Sequence, residues 1–213
     1  IESFHHKVES LERLDVLVNN AGIAIGGFVE QISIGAYRKQ FETNVFGLMA
    51  ITQAVLPKLR EQKNGTIINL SSISGKVGFP GLSPYVSSKH AIEGYSESLR
   101  LEMRPYGVQV ALVEPGSFQT NIWSSGMAIE GSYDSNSPYY TYMKQLTTTL
   151  DAGKKNHEDP TLVANLICKI ASMKRVKKLR YPIGKGVSLQ LKLKQWLSWQ
   201  QWENIVIRTI FKK

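Results

Sequence analysis

Two spacings of apolar residues alternate along the chain. Short apolar runs at 15–19, 66–72 and 108–115 are bounded by polar residues, which is typical of strands buried on both faces. Between and after them, apolar residues recur every three or four positions at 34–62, 83–103 and 160–170, which predicts amphipathic helices. A further short strand is predicted within 177–184. Strands that alternate with helices indicate a parallel sheet covered by helices on both faces.

The length of 213 residues suits one domain, and no linker or repeat divides it. We therefore predict a single α/β domain over 1–213. The stretch 116–150 is long for a connection and rich in Ser, Tyr and Gly, so we interpret it as a lid. The segment 187–213 is predicted to be amphipathic and basic.

Charge and cysteine content limit the possible functions. The net charge is +9, and the basic excess lies after residue 150, where 14 Lys and Arg face 4 Asp and Glu. No nucleic-acid motif accompanies this charge, and the four histidines lack metal-ligand spacing, so neither nucleic-acid nor metal binding is predicted. Cys168 is the only cysteine and forms no internal disulfide; we expect it to be a buried helix residue.

Polar residues follow the predicted strands where a ligand would bind. In open parallel sheets, ligands lie beyond the carboxyl ends of the strands. Three stretches stand at these ends: "NNAG" at 19–22, Ser71-Ser72, and Pro115-Gly116. "YVSSK" at 85–89 opens the helix that follows the second strand.

Four residues form a candidate catalytic set. Tyr85 and Lys89 are four apart on a helix and share a face, so the ammonium should lower the pKa of the phenol. Ser72 precedes Tyr85 by a loop that can fold it back toward the phenol, where it would be a hydrogen-bond partner for a substrate oxygen. Asn44 falls on a buried helical stripe, where its carboxamide needs partners. Each feature alone also has an ordinary structural explanation, such as a solvated pair, a turn or a backbone contact.

Taken together, "NNAG", "TNVFG", "NLSSISG", "YVSSK" and "VEPGSFQT" resemble the short-chain dehydrogenase/reductase family over about 14–121. The resemblance implies a Rossmann-like, doubly wound parallel sheet in three α/β/α layers. It also implies that Tyr85 is the acid/base, Lys89 holds the nicotinamide ribose, Ser72 orients the substrate oxygen, and Asn44 holds a water linked to Lys89. The residues implied to contact NAD or NADP are Asn20, Ala21, Gly22, Tyr85, Lys89, Pro115, Gly116, Phe118 and Thr120.

The Gly-rich dinucleotide loop and the first strands of that family are absent from this sequence. "GIAIGG" follows the wrong strand, and "GKVGFPG" follows Ser72. Without those strands, the run "VLVNN" would form an exposed apolar edge, which folded proteins avoid. We therefore expect a longer natural chain; the alternative is a natural short form that has lost cofactor binding.

The predicted function is an NAD(P)-dependent oxidoreductase that interconverts a secondary alcohol and a ketone or aldehyde. The alternative is a non-catalytic binding or scaffold protein on the same fold. Phe79, Pro80 and Leu82, with an aromatic lid at 123–142, suggest a lipophilic substrate, as in the steroid and retinol branch. The resemblance further implies a homodimer or homotetramer.

The segment 187–213 has two interpretations. Its tryptophans, leucines and lysines suit a helix at a membrane interface, which predicts a cytoplasmic protein with peripheral membrane contact. The alternative is a helix packed on the domain or on a subunit partner, with the lysines as a solvated rim.

Overall fold

A computed structural model describes residues 2–124, 127–129, 134–154 and 157–210. The strands are β1 (Val16–Asn19), β2 (Ala24–Gly26), β3 (Gly65–Leu70), β4 (Val108–Pro115), β5 (Met127–Ile129) and β6 (Arg180–Ile183). The helices are α1 (Glu2–Glu9), α2 (Ile34–Phe41), α3 (Gly47–Gln62), α4 (Ser83–Met103), α5 (Asn121–Ser124), α6 (Tyr140–Lys154), α7 (Thr161–Ala171), α8 (Val187–Trp196) and α9 (Trp199–Ile210).

Four parallel strands form the main sheet in the order β1-β3-β4-β6. The register pairs Asn19 with Asn69 and Leu70 with Val113, so the three neighbouring strands end near one another. Each strand reaches its parallel neighbour through a helical connection, as a parallel sheet requires. The predicted parallel sheet is confirmed, and the residues after β1, β3 and β4 meet at one edge.

Helices cover both faces of the sheet. Ile67 of β3 packs with Leu59 of α3 and Leu99 of α4, whereas the next residue, Ile68, packs with Ile170 of α7 on the opposite face. This alternation follows from the period of two in a strand. It confirms the predicted three-layer α/β/α arrangement and explains why the strands are apolar at nearly every position.

The helix predicted over 34–62 is interrupted at its centre. A π-helical segment, Glu42–Phe46, separates α2 from α3, and Asn44 lies in its middle. Such segments are rare and often occur at functional sites. The apolar spacing does not reveal the interruption, because one extra residue in a turn changes the stripe only slightly.

The predicted lid forms additional structure. β2 and β5 pair in a second, two-stranded sheet that was not predicted, since three residues are too few to show a strand period. Farther along, Tyr139 stacks on Phe28 with ring centroids 4.8 Å apart. Residues 125–126 and 130–133, and the side chain of Trp123, lie outside the described part of the structure, so the lid remains a prediction.

The C-terminal segment forms two helices, α8 and α9, and each packs one face on the domain. Trp202 is only 5% exposed and clusters with Ile73, Val77 and Val187. Trp196 and Trp199, in contrast, are 81% and 67% exposed. Within the described residues, none of the helices combines the length and apolar character needed to span a bilayer.

Two predictions about α7 are wrong. Cys168 is exposed rather than buried, and Leu162, placed on the apolar stripe, is also exposed. Ile170 is fully buried as predicted. The helix lies on the rim of the domain, so only part of its apolar stripe reaches the sheet.

We expect Gly107→Ala to destabilise the protein. Gly107 has a φ of +73°, and an added Cβ would lie 2.3 Å from the Lys63 carbonyl oxygen. Its loss should lower the free energy of unfolding by at least about 1 kcal/mol. The control is Gly94→Ala in α4, where nothing lies within 4 Å of the added Cβ and helix propensity should stabilise. Urea unfolding measures both; equal stability of the two variants would contradict the prediction.

Candidate active site

A cavity of about 350 Å³ opens at the carboxyl edge of the sheet. Nearly all the residues predicted to be functional line it. They are Asn20, Gly22, Ser72, Tyr85, Lys89, Pro115, Gly116, Phe118 and Thr120. The fold therefore brings together residues that are separated by up to a hundred positions in the chain. Ala21 and Asn44 do not line this cavity.

Ser72 is held close to Tyr85 by a short turn. It caps the 3₁₀ turn Ile73–Gly75, where the Ser74 N–H donates to the Ser72 Oγ at 3.0 Å. The hydroxyls of Ser72 and Tyr85 are hydrogen bonded to each other. Pro84 stands in the first turn of α4, where its fixed φ suits helix initiation and sets the direction of Tyr85. Ser72 therefore lies beside the phenol, as the loop was expected to allow, and its role toward a substrate oxygen stays a prediction.

Lys89 lies one turn after Tyr85 and is buried. Its Nζ donates to the Leu70 carbonyl oxygen at 2.7 Å and lies 5.6 Å from the centroid of the Tyr85 ring. Leu70 is the last residue of β3, so this hydrogen bond joins α4 to the end of the central strand. Burial lowers the pKa of Lys89 to about 8, against the opposing effect of the Glu93 carboxylate.

The pKa of Tyr85 differs from the sequence-based expectation. Burial raises it to about 12, and the hydrogen bond from Ser72 only partly offsets this rise. The ammonium of Lys89 bonds to a backbone carbonyl and faces the ring, so desolvation of the phenolate dominates over attraction by the cation. In this structure Tyr85 is a neutral phenol and hence a proton donor.

Asn44 binds the backbone beside the cavity. Its Oδ1 accepts from the Ile23 N–H at 2.9 Å, and its Nδ2 donates to the Ile23 carbonyl at 3.0 Å and to the Ser88 Oγ at 3.1 Å. Ser88 in turn donates to the Tyr85 carbonyl at 2.8 Å. Asn44 thus anchors the turn after β1 to the turn of α4 that carries Tyr85 and Lys89. Its implied water-binding role stays a prediction.

Several residues of the site escaped the sequence analysis. The apolar wall comes from residues after β4 and from α7, including Ile122, Val163 and Ile167. Ser71 Oγ is buried and has no hydrogen-bond partner among the described residues. Only the tight packing at Gly75 signals its surroundings, since a Cβ there would lie 2.6 Å from Ser71 Oγ.

The residues proposed to form an apolar substrate surface lie elsewhere. Phe79 packs in the cluster of Trp202 and Val187, and Leu82 is buried. Phe79, Pro80 and Leu82 are not among the residues that line the cavity. Their position after Ser72 in sequence did not reveal that the chain turns away toward α8 and α9.

Comparison with known proteins places this site in a family. The profile of the family described as short chain dehydrogenase matches residues 2–128. The chain is 47% identical to the uncharacterized oxidoreductase YusZ of Bacillus subtilis over 212 residues, which are 99% of this chain and 76% of that protein.

Two further relatives carry names that state an activity. A 3-ketodihydrosphingosine reductase of Bacteroides thetaiotaomicron is 38% identical, over 87% of this chain and 68% of that protein. An NADPH-dependent 3-dehydrocapnine reductase of Ornithobacterium rhinotracheale is 39% identical, over 70% of this chain and 54% of that protein.

A solved structure agrees with these sequence matches. The crystal structure of a short-chain dehydrogenase from Streptomyces avermitilis superposes with a TM-score of 0.75 at 30% identity, covering 96% of this chain and 75% of that one. Because the profile matches more than half of the chain and YusZ matches nearly all of it, the chain belongs to the short-chain dehydrogenase/reductase family.

Proposed function

We propose that this protein is an NAD(P)-dependent oxidoreductase that interconverts a ketone and a secondary alcohol on a lipophilic small molecule. The observation that carries the proposal is the convergence of Ser72, Tyr85 and Lys89 on one cavity that apolar side chains also line. A proton donor next to a second hydrogen-bond donor can stabilise and protonate the alkoxide that develops on the substrate oxygen.

The residues of the cavity fit the nicotinamide half of a dinucleotide. Lys89 supplies a buried cation and Tyr85 a phenol for ribose hydroxyls. Ser71 Oγ is a buried donor and acceptor that has no partner among the described residues. Gly116 also lines the cavity and allows the end of β4 to pack closely on α8, since a Cβ there would lie 2.5 Å from Val187 Cγ2. When bound, the nicotinamide supplies the hydride donor or acceptor. Among relatives, the 3-dehydrocapnine reductase is named as NADPH-dependent.

The side chains of the chain then divide the proton chemistry. Tyr85, neutral because of its burial, gives a proton to the substrate oxygen in the direction of reduction. Ser72 donates a hydrogen bond to the same oxygen and holds it in place. Lys89 stabilises the negative charge left on the phenol, and Asn44 keeps the turn after β1 aligned with α4.

The proposed substrate class is supported by the apolar wall and by one relative. Ile122, Val163 and Ile167 offer no polar side-chain group, so they suit a hydrocarbon portion beside the reacting carbonyl. The 3-ketodihydrosphingosine reductase is named for a ketone on a long-chain lipid. We therefore propose a keto or hydroxyl group on a long aliphatic chain.

Tyr85→Phe should abolish turnover, because it removes the phenol that is proposed to give its proton to the substrate oxygen. We expect kcat to fall by at least about 100-fold, whereas dinucleotide affinity stays within a few-fold. Ketone turnover by the natural full-length protein with NADH and with NADPH measures kcat. Fluorescence titration with each dinucleotide measures the affinity.

Tyr95→Phe is the matched control for that experiment. Tyr95 lies on the same helix and packs in the core, with its hydroxyl bonded to Thr52. Its loss should affect stability rather than turnover. Near-normal turnover by Tyr85→Phe would show that Tyr85 is not the proton donor, whereas no turnover by the unmodified protein would favour the binding-protein alternative.

Chain length of the substrate should affect kcat/KM. Each methylene buried against the apolar wall contributes about 0.8 kcal/mol, or roughly fourfold in kcat/KM, until the wall is filled. A series of 3-keto compounds that share one head group and differ in chain length measures this dependence. A rate independent of chain length would contradict the lipophilic substrate while leaving the reaction class intact.

We also propose that the α8–α9 surface, formed by Leu189, Leu193, Trp196 and Trp199, contacts anionic membranes. All four side chains are exposed. Lys192 and Lys194 lie on α8, and Lys194 Nζ lies 4.0 Å from the centroid of the Trp199 ring of α9. Indoles next to lysines suit the interface of a negatively charged bilayer. The expected homodimer or homotetramer stays a prediction.

Vesicles containing an anionic lipid should co-sediment with the protein at low salt. The double variant Trp196→Ala/Trp199→Ala should lose most of this binding, because it removes the two exposed indoles. Leu101→Ala/Tyr106→Ala is the control, since these residues are also exposed but lie at the end of α4. Equal sedimentation of the two double variants, or none for the unmodified protein, would rule out membrane contact through this surface.

A further inference from the structure

A second buried charge cluster lies directly behind the catalytic residues. Glu93, one turn after Lys89 on α4, is 4% exposed, and Glu114, next to Pro115 at the end of β4, is 1% exposed. Arg180 of β6 stands between them: its Nε donates to Glu93 Oε2 at 2.8 Å and lies 3.4 Å from Glu114 Oε1. None of these three residues touches the cavity itself.

The cluster contains more negative charge than its cation can balance. Arg180 also binds Glu97 through its Nη2, so one guanidinium serves three carboxylates. Glu93 Oε1 and Glu114 Oε1 are both buried and accept no hydrogen bond from any described residue. Two adjacent buried carboxylates, each with an oxygen that accepts no hydrogen bond, are costly unless a proton lies between them. The carboxyl groups of Glu93 and Glu114 are within hydrogen-bonding reach of each other, so one shared proton would give the pair the donor that it lacks.

The electrostatics support the same assignment. Burial, followed by the negative charge of Glu93, raises the pKa of the Glu114 carboxyl. Glu93 in turn is the group whose charge opposes the lowering of the pKa of Lys89 by burial. The negative charge left on the pair therefore acts on Lys89, one helical turn away.

We propose that Glu93 and Glu114 share one proton and that the remaining charge, carried by Glu93, keeps Lys89 protonated behind Tyr85. This inference rests on the proposed function, in which an ammonium at Lys89 supports proton transfer by Tyr85. Glu93 is then a positioning residue that acts through Lys89, and Glu114 is the group that limits the charge of the pair to one.

Other charged groups face the pair from each element packed against it. Lys89 and Glu97 belong to α4 and Arg180 to β6, while Lys76 follows the 3₁₀ turn after β3 and also acts on Glu114. β3 itself carries no charged residue. Arg180 stays charged over the accessible pH range. Within this set, Glu114 and Lys89 are the groups whose shifted pKa values lie between neutral and mildly alkaline pH.

The first test is the pH dependence of turnover in the natural full-length protein. Glu93→Gln removes the charge but keeps the shape, so Lys89 should lose its proton at lower pH. We expect the alkaline limit of kcat/KM to move down by about one pH unit, with turnover recovering as the pH is lowered. Glu93→Asp, which restores the charge, should restore the limit.

Glu97→Gln is the matched control. Glu97 binds the same guanidinium one turn farther along α4, but its side chain is half exposed and does not act on Lys89. The alkaline limit of kcat/KM in Glu97→Gln should equal that of the unmodified protein. An unmoved limit in Glu93→Gln, or an equal shift in Glu97→Gln, would overturn the proposal. Lack of turnover in the unmodified protein would instead refute the proposed function.

The second test does not depend on activity. A carboxyl with a raised pKa in the folded state stabilises the fold at low pH, and this contribution is lost as the pH rises through that pKa. Glu114→Gln places an amide donor where the proton would be, so it should fold and should not show this loss. We expect the Tm of Glu114→Gln minus that of the unmodified protein to increase between about pH 5 and pH 8. A difference that is constant with pH would show that the pair holds no shared proton.

Discussion

The hydrogen bond from the buried Lys89 ammonium to the Leu70 carbonyl, 2.7 Å long, is the contact on which the site depends. A charged group out of water needs partners, and here the backbone at the end of β3 provides one. The bond fixes α4 against the central strand and thereby fixes Tyr85, one turn earlier, against Ser72, just after that strand. The reactive hydroxyls are therefore placed by the requirement to satisfy a buried cation.

Polar networks extend this arrangement across the sheet. Asn19 donates to Asn69 and Thr52, and Asn69 donates to Ser96, so β1, β3, α3 and α4 are joined beneath the cavity. Asn44 similarly joins the turn after β1 to α4 through Ser88. Buried networks with all members paired rigidify a core, which suits a site whose groups must keep their distances. The pair of Glu93 and Glu114 differs, because one oxygen of each carboxylate has no hydrogen-bond partner among the described residues.

The parallel sheet, its layers and most of the cavity could be predicted, because strand and helix periods reflect burial and the motifs lie at strand ends. The apolar wall could not, since Val163 and Ile167 reach the cavity only through the placement of α7. Exposure of Cys168 was missed for the same reason. The pKa of Tyr85 was expected to fall, yet it rises, because spacing along a helix reports proximity to Lys89 and not the loss of solvent.

By itself, the sequence determined the fold class and the identity of the groups that carry the chemistry, since apolar periodicity and the order of Ser72, Tyr85 and Lys89 are local properties of the chain. Only the tertiary structure decided which side chains face one another across strands. It placed Arg180 between Glu93 and Glu114, residues that are distant in sequence. It also divided the tryptophans of α8 and α9 between core and solvent. Burial and charge balance are sums over the whole fold, and no local pattern contains them.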